Sequence, residues 1–226
     1  MIEFEGAGYR YAGGANIFAD VSVELPSGSF HFLTGPSGAG KTTLLKLCYL
    51  GLRPTSGRMT LFGKPTSGLD RDAVADTRQR IGVVHQDCAF LDHLTVAQNI
   101  SLPLAIAGND PAAHQAELDD LLKWVELDHR QTAKPPELSG GERQRAALAR
   151  AVILSPDLII ADEPTGNIDW EMGNRVMTLL AELNKMGKTV LIATHDLQLI
   201  RTTAKKTGAR LLRLTSGRLV QAGVEL

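Results

Sequence analysis

Gly35-Pro36-Ser37-Gly38-Ala39-Gly40-Lys41-Thr42 follows the apolar run 30–33 and precedes a helical pattern that opens at Lys41 and extends to about Leu50. The stretch satisfies G-x-x-x-x-G-K-[ST] in the strand–loop–helix setting that gives the pattern its meaning. Glycines let the backbone bend until successive N–H groups point inward at a helix N-terminus, which is an anion nest. Lys41 adds a mobile positive charge for the outer phosphates, and Thr42 a hard hydroxyl oxygen for Mg²⁺. Gly35 to Gly40, Lys41, Thr42 and the adjoining Thr43 are therefore the candidate nucleotide contacts.

A phosphate cradle of this kind needs an acid at the end of a buried strand. Leu158-Ile159-Ile160-Ala161-Asp162-Glu163 supplies one. Asp162 ends an apolar run where its carboxylate can orient Mg²⁺, so Thr42 and Asp162 are candidate metal donors. Glu163, one residue later, points the other way and is placed to polarise an attacking water as general base. Two acids ending a strand are often mere loop solvation; beside a phosphate cradle that reading loses its force.

Outward from these motifs the chain sorts into three stretches. Short β-like runs at 2–5, 21–25, 29–33 and 59–62 alternate with Pro/Gly turns. The later runs 158–161 and 189–193 are continuously apolar, as strands buried on both faces of a parallel sheet should be. Helical patterning at 41–50 and 172–186 fills the gaps, which implies an α/β layered domain. Between 87 and 156 strand signals vanish and helices are expected at 114–127 and 142–154. The expected division is a single domain, with 1–86 and 157–226 as α/β core and β subdomain and 87–156 as an inserted helical subdomain.

Composition narrows the function class. The formal net charge is -1 over 226 residues, and no dense Lys/Arg stripe occurs, which argues against nucleic-acid binding. Cys48 and Cys88 have no metal-ligand spacing and read as isolated buried thiols of a reducing compartment, with a disulfide as the alternative. No apolar stretch approaches the ~18 residues a membrane helix needs. The N-terminus is acidic and lacks a secretory pattern. A cytoplasmic protein is expected, and any membrane role must come through a partner.

Leu138-Ser139-Gly140-Gly141-Glu142 adds a second element. As structure it is a helix start, with Ser139 capping and Glu142 in the favourable first turn. The same geometry makes a second anion site on one chain. One nucleotide has one terminal phosphate, so two such sites suggest a head-to-tail homodimer, each Ser139 loop closing on the other copy's cradle.

With these motifs in this order, the chain resembles the ATP-binding cassette (ABC) family over essentially its whole length. The resemblance implies a P-loop NTPase fold with a mixed, mainly parallel core sheet, an antiparallel β subdomain and a helical insertion, and it implies ATP hydrolysis with Mg²⁺. It assigns Gln86, after the run 81–84, to metal contact and relay toward a membrane partner. Gly166-Asn167-Ile168-Asp169 becomes the Asp loop of the dimer seam, and His195 the contact to the γ-phosphate. Glu163, His195 and Gln86 are thus the catalytic candidates, and Ser139, Gly140, Gly141 and Glu142 the nucleotide contacts made in trans. Tyr11 falls where the family places an aromatic for adenine stacking, with Tyr9 two residues away left as the alternative.

Within the family, Glu163-Pro164-Thr165-Gly166-Asn167 resembles the branch that holds cell-division, lipoprotein-release and macrolide-export ATPases. Further stretches, Leu44-Leu45-Lys46-Leu47 and Ala193-Thr194-His195-Asp196 among them, resemble the cell-division members, from which His85 before the Gln departs. That resemblance implies a polytopic membrane partner of the FtsX type, contact with other division proteins, and a place on the inner face of the membrane through that partner. Lipoprotein release or export is the alternative. The segment Cys88-Ala89-Phe90-Leu91 is apolar for a loop, and the partner is expected to dock near Gln86 to Leu94.

Overall fold

Continuous and alternating burial separate the strands into two sheets. The computed structural model describes residues 1–166 and 168–223. The first part runs β1 (Ile2–Arg10), β2 (Asn16–Leu25), β3 (Phe30–Thr34), α1 (Lys41–Cys48), β4 (Ser56–Leu61) and β5 (Lys64–Pro65). The middle holds α2 (Arg71–Gln79), β6 (Ile81–Val84), α3 (Val96–Ile106), α4 (Gln115–Trp124) and α5 (Gly140–Val152). The rest is β7 (Leu158–Asp162), α6 (Trp170–Lys185), β8 (Thr189–Ala193), α7 (Leu197–Thr207), β9 (Arg210–Thr215) and β10 (Arg218–Ala222).

β3 and β8 are buried at every position and β7 at all but its last. They lie side by side in a six-stranded sheet ordered β10-β9-β3-β8-β7-β6, parallel except where β10 turns back on β9. Buried on both faces, such strands need helices on each side, and α1, α5 and α6 supply them. β1, with its more alternating start, joins the antiparallel sheet β2-β1-β4-β5. The mixed-sheet fold class expected above is the one observed. No helix among the described residues is long and apolar enough to cross a membrane.

Where the structure departs from the expected elements, the reasons are local. β1 continues past residue 5 to Arg10, because register shifts between Phe4 and Ala7 and a left-handed Gly6 carry the pairing through a stretch with no clean alternation. α2 was invisible to apolar periodicity since it buries no residue; Asp70, accepting from the Ala73 N–H, starts it. The helix expected over 114–127 is α4 alone, preceded by a 3-10 turn over Pro111–His114 and ended before Glu126, whose φ is 57°.

α5 belongs to two cores at once. Ala147, Leu148 and Val152 pack with Phe32, Ile159 and Ile192 of the sheet. Ala146 and Ala149 pack with Val96, Ile100, Leu118 and Leu122 of the helical stretch. It lies so close to β6 that a Cβ on Gly82 would stand 2.1 Å from the Ala151 carbonyl oxygen. That approach explains a glycine inside a strand.

Candidate active site

β3 ends at Thr34, and the chain turns through Gly35 into the loop that leads to α1. Gly35 has φ 154°, and a Cβ there would meet the Leu214 carbonyl oxygen of β9 at 2.2 Å, so the turn demands glycine. Gly40, at φ 100°, is the N-cap residue of α1 and makes no side-chain cap, leaving that helix terminus open toward the loop. The Lys41 Nζ donates to the Gly35 carbonyl at 2.9 Å and the Pro36 carbonyl at 3.2 Å. The ammonium is thus folded over its own loop, at the mouth of the cavity.

That cavity, about 630 Å³, is lined by Gly35, Pro36, Ser37, Gly38, Gly40, Lys41, Thr42 and Thr43 together with Gln86, Asp162, Glu163, Gly166 and His195. Residues from opposite ends of the chain converge because β3, β7 and β8 are neighbours and all end on the same side. Burial raises the Asp162 carboxyl above the usual carboxylate range, with the Thr42 hydrogen bond and Lys41 charge opposing. Glu163 follows directly, but with φ 47°. Its backbone N–H still bonds the Ala193 carbonyl at 2.8 Å. The left-handed turn therefore swings the side chain back, and both carboxylates open onto one cavity instead of opposite strand faces. Such a φ costs a non-glycine residue of the order of 1–2 kcal/mol, held here by the surrounding pairing. His195 Nδ1 lies 2.9 Å from Glu163 Oε1, so the carboxylate orients the imidazole and leaves Nε2 for another partner.

Thr42, Gln86 and Asp162 also line an adjoining space of about 350 Å³ with His85 and Asp87. A hydroxyl, an amide and a single carboxylate form a hard-oxygen set, which fits Mg²⁺ shared with phosphates better than a cation held by protein alone. His85 stands edge-on to Tyr49 with ring centroids 5.9 Å apart, and burial pushes its imidazole below the ordinary value. At the cavity's edge the two tyrosines part. Tyr9 is buried against Phe18, whereas Tyr11 is 43% exposed, with its hydroxyl 3.2 Å from Thr43 Oγ1.

The Ser139 motif lines none of this. Ser139 caps α5, accepting from the Glu142 N–H at 3.3 Å, and Glu142 Oε2 accepts from the Ser139 N–H at 2.8 Å. This reciprocal box leaves the first two helical N–H groups, Gly140 and Gly141, with no acceptor among the described residues. The contrast with α3 is direct. There Thr95 and Gln98 form the same box, but the Val96 and Ala97 N–H groups donate to the Ala133 and Gln131 carbonyls. At the terminus of α5 the N–H of the exposed Gly140 stands unpaired among the described residues; the terminus of α3 is closed. Glu142, expected among the nucleotide contacts, has both carboxylate oxygens spent inside its own chain.

A model of the ABC transporter family matches residues 18–166. The chain belongs to that family. The cassette is 37% identical over 206 residues to the cell division ATP-binding protein FtsE of Bacillus subtilis, covering 91% of this chain and 90% of that one. It is 40% identical to the protein of the same name from Haemophilus influenzae, covering 91% and 94%. Its fold superposes on a dimeric post-hydrolysis state of the ATP-binding cassette MJ0796 bound to ADP and Pi, with a TM-score of 0.89, 30% identity and full coverage of both chains.

In the cassette Asn167 of the Asp loop lies outside the described residues, while Asp169 caps α6 by accepting from the Met172 N–H at 2.9 Å. The expected docking segment divides. Phe90 is partly buried and lies under the guanidinium groups of Arg143 and Arg150, and Arg150 also donates to the Cys88 and Ala89 carbonyls. Gln86, Asp87, Ala89 and residues 91–93 are exposed, and Leu91, at 42%, is the large apolar side chain among them. Ile17, which lines the cavity, carried no sequence signal, being one apolar residue of a strand. Neither did Arg130, a lone cation in a 3-10 turn.

Proposed function

We propose that the cassette is an FtsE-like ATPase that hydrolyses ATP in the cavity above α1 and passes the resulting movement to a membrane-embedded partner of the FtsX type, regulating cell-wall hydrolysis during division. The observation that carries the ATPase reading is the convergence of the Gly35–Thr43 loop, Gln86, Asp162, Glu163 and His195 on one cavity. The similarity to the FtsE proteins supports the cell-division role.

In this reading the loop N–H groups and Lys41 hold the phosphates, and Tyr11, the exposed ring of the pair, offers its face to adenine. Thr42, Asp162 and Gln86 would hold Mg²⁺, which when bound neutralises developing phosphate charge. Glu163 takes the proton of the attacking water. His195, oriented by Glu163 through Nδ1, presents Nε2 to the terminal phosphate. The open N-terminus of α5 meets no phosphate in its own chain, so a second copy completes the site as a head-to-tail dimer; the dimeric cassette bound to ADP and Pi supports this. Gln86 leads into the helical stretch, so metal contact there can shift the partner's seat near Leu91, at the inner face of the membrane.

Co-purification from detergent-solubilised membranes, together with imaging of the tagged chain, tests this. Recovery of an FtsX-type protein and accumulation at the septum are expected. Recovery of a lipoprotein-release or export permease instead, with no septal signal, would overturn the division role while leaving the ATPase intact.

A further inference from the structure

Arg130 ends the 3-10 turn Asp128–Arg130 that follows α4, outside every motif named above. Its Nε donates to Glu142 Oε1 at 2.9 Å, and one terminal nitrogen reaches the Glu137 carbonyl at 3.5 Å. The other oxygen of Glu142 holds the Ser139 N–H. Arg130 is the one ion-pair partner of Glu142 among the described residues. The nearby Arg143 is engaged elsewhere, with the Pro135 carbonyl and the Phe90 ring.

A carboxylate in the first turn of α5 has two opposite effects. It favours the helix, whose N-terminus is partially positive, and it repels any anion that approaches the same terminus. The box does not require the charge, since Thr95 and Gln98 build the same reciprocal pattern with a neutral amide. Protonation does not remove it either, because the Arg130 hydrogen bond, ahead of the Ser139 contacts, holds the Glu142 carboxyl down at about 2. At neutral pH the balance must come from a counter-charge.

We propose that Arg130 is a positioning residue of the phosphate-accepting terminus of α5, cancelling the charge of Glu142 and aiming its second oxygen at the Ser139 N–H so that Gly140 and Gly141 remain attractive to the nucleotide of a second copy. The inference rests on the ATP-driven pairing proposed above.

The test uses the full chain carrying Glu163→Gln, with the ATP concentration for half-maximal dimerisation read by light scattering. Arg130→Gln keeps a donor and removes the charge. It should raise that concentration about three- to ten-fold, while the binding of a fluorescent ATP analogue by the monomer stays unchanged. Adding Glu142→Gln should abolish the difference that Arg130→Gln makes. Arg130→Lys, which keeps the charge, should stay within about twofold of the parent; this arm decides the matter if Arg130→Gln lowers the thermal melt. A penalty of equal size with and without Glu142→Gln would mean that Arg130 only braces the loop, and the proposal fails. It fails equally if Arg130→Gln has no effect, or if Arg130→Lys is as impaired as Arg130→Gln. A Glu163→Gln parent that does not pair with ATP sinks the dimer reading itself, a separate and recognisable result.

Discussion

The cradle side and the Ser139 side of the cassette are built in opposite ways. Around Lys41 side chains from the ends of three neighbouring strands meet in one cavity, with carboxylates, an amine, a hydroxyl and an imidazole within reach of each other. Around Ser139 the side chains serve one another, and what is left without an acceptor among the described residues is backbone: the N–H groups of Gly140, which is exposed, and Gly141, which is buried. The first region is chemistry waiting for a wall. The second is a wall prepared for someone else's chemistry. A site shared between copies can thus place every reacting group on one copy and ask only for preorganised dipoles from the other.

The largest expected effect tests that asymmetry. Glu163→Gln should lower ATP turnover by at least about 10²-fold while leaving ATP binding intact, since only the water-polarising carboxylate is lost. Lys41→Ala should weaken binding itself. Measured with purified protein, turnover of Glu163→Gln near the wild-type rate would remove the base from the cradle side and with it the comparison.

Acid should separate the two regions. His31, buried in β3 beneath the cradle, has its imidazole lowered to about 4 by burial first and the Arg210 charge second. Its folded value lies below its unfolded value of 6.5, so the unfolded chain takes the proton first. The stability is present above pH 6.5 and falls as pH drops toward 4, by at most about 3 kcal/mol. Glu142 is depressed from 4.5 to about 2, so its contribution is present above pH 4.5 and is lost as pH falls toward 2. Urea midpoints across pH should therefore show two slopes. His31→Asn should flatten the upper one and Glu142→Gln the lower, and a single slope unmoved by either would break the separation.

Gly82 is the physical link between the regions. Its missing Cβ lets α5 lie against β6, so Gly82→Val should push the Ser139 helix off the sheet and cost about 1–3 kcal/mol in thermal unfolding. A variant that melts like the parent would show that α5 takes its position from the helical cluster alone.

How much of this could be read in the sequence follows the same divide. The cradle was legible because its residue types are dictated by bound phosphate and its strands by burial on both faces; Gly35, Lys41, Asp162 and the runs through Ile159 and Leu191 all announce themselves. The shared cavity of Asp162 and Glu163 was not, because strand alternation predicts opposite faces and only a left-handed φ at Glu163 brings them together. α2 escaped because a helix that buries nothing leaves no apolar period. Tyr9 and Tyr11 could not be told apart until β2 placed Phe18 against Tyr9. Arg130 and Gly82 act through contacts distant in sequence, with Glu142 and Ala151, and no local pattern marks them.

The smallest effect is also the most discriminating. Thr95 and Ser139 make the same reciprocal cap on two helices of one lobe. Ser139→Ala and Thr95→Ala should each cost about 1 kcal/mol of stability, the usual value for such a cap. Their effects on assembly should differ. At α3 the first two N–H groups already donate to the Ala133 and Gln131 carbonyls, so Thr95→Ala disturbs a terminus with nothing left to offer. At α5 the corresponding groups belong to Gly140 and Gly141, and Ser139 beside them is exposed, as is Gly140. Ser139→Ala in the Glu163→Gln background should therefore raise the ATP concentration needed for pairing by several-fold, about what one phosphate hydrogen bond contributes, and Thr95→Ala should leave it unchanged. Equal effects on pairing from two caps of equal stability cost would mean that Ser139 acts only by holding its helix together, and the difference between the regions would reduce to helix capping.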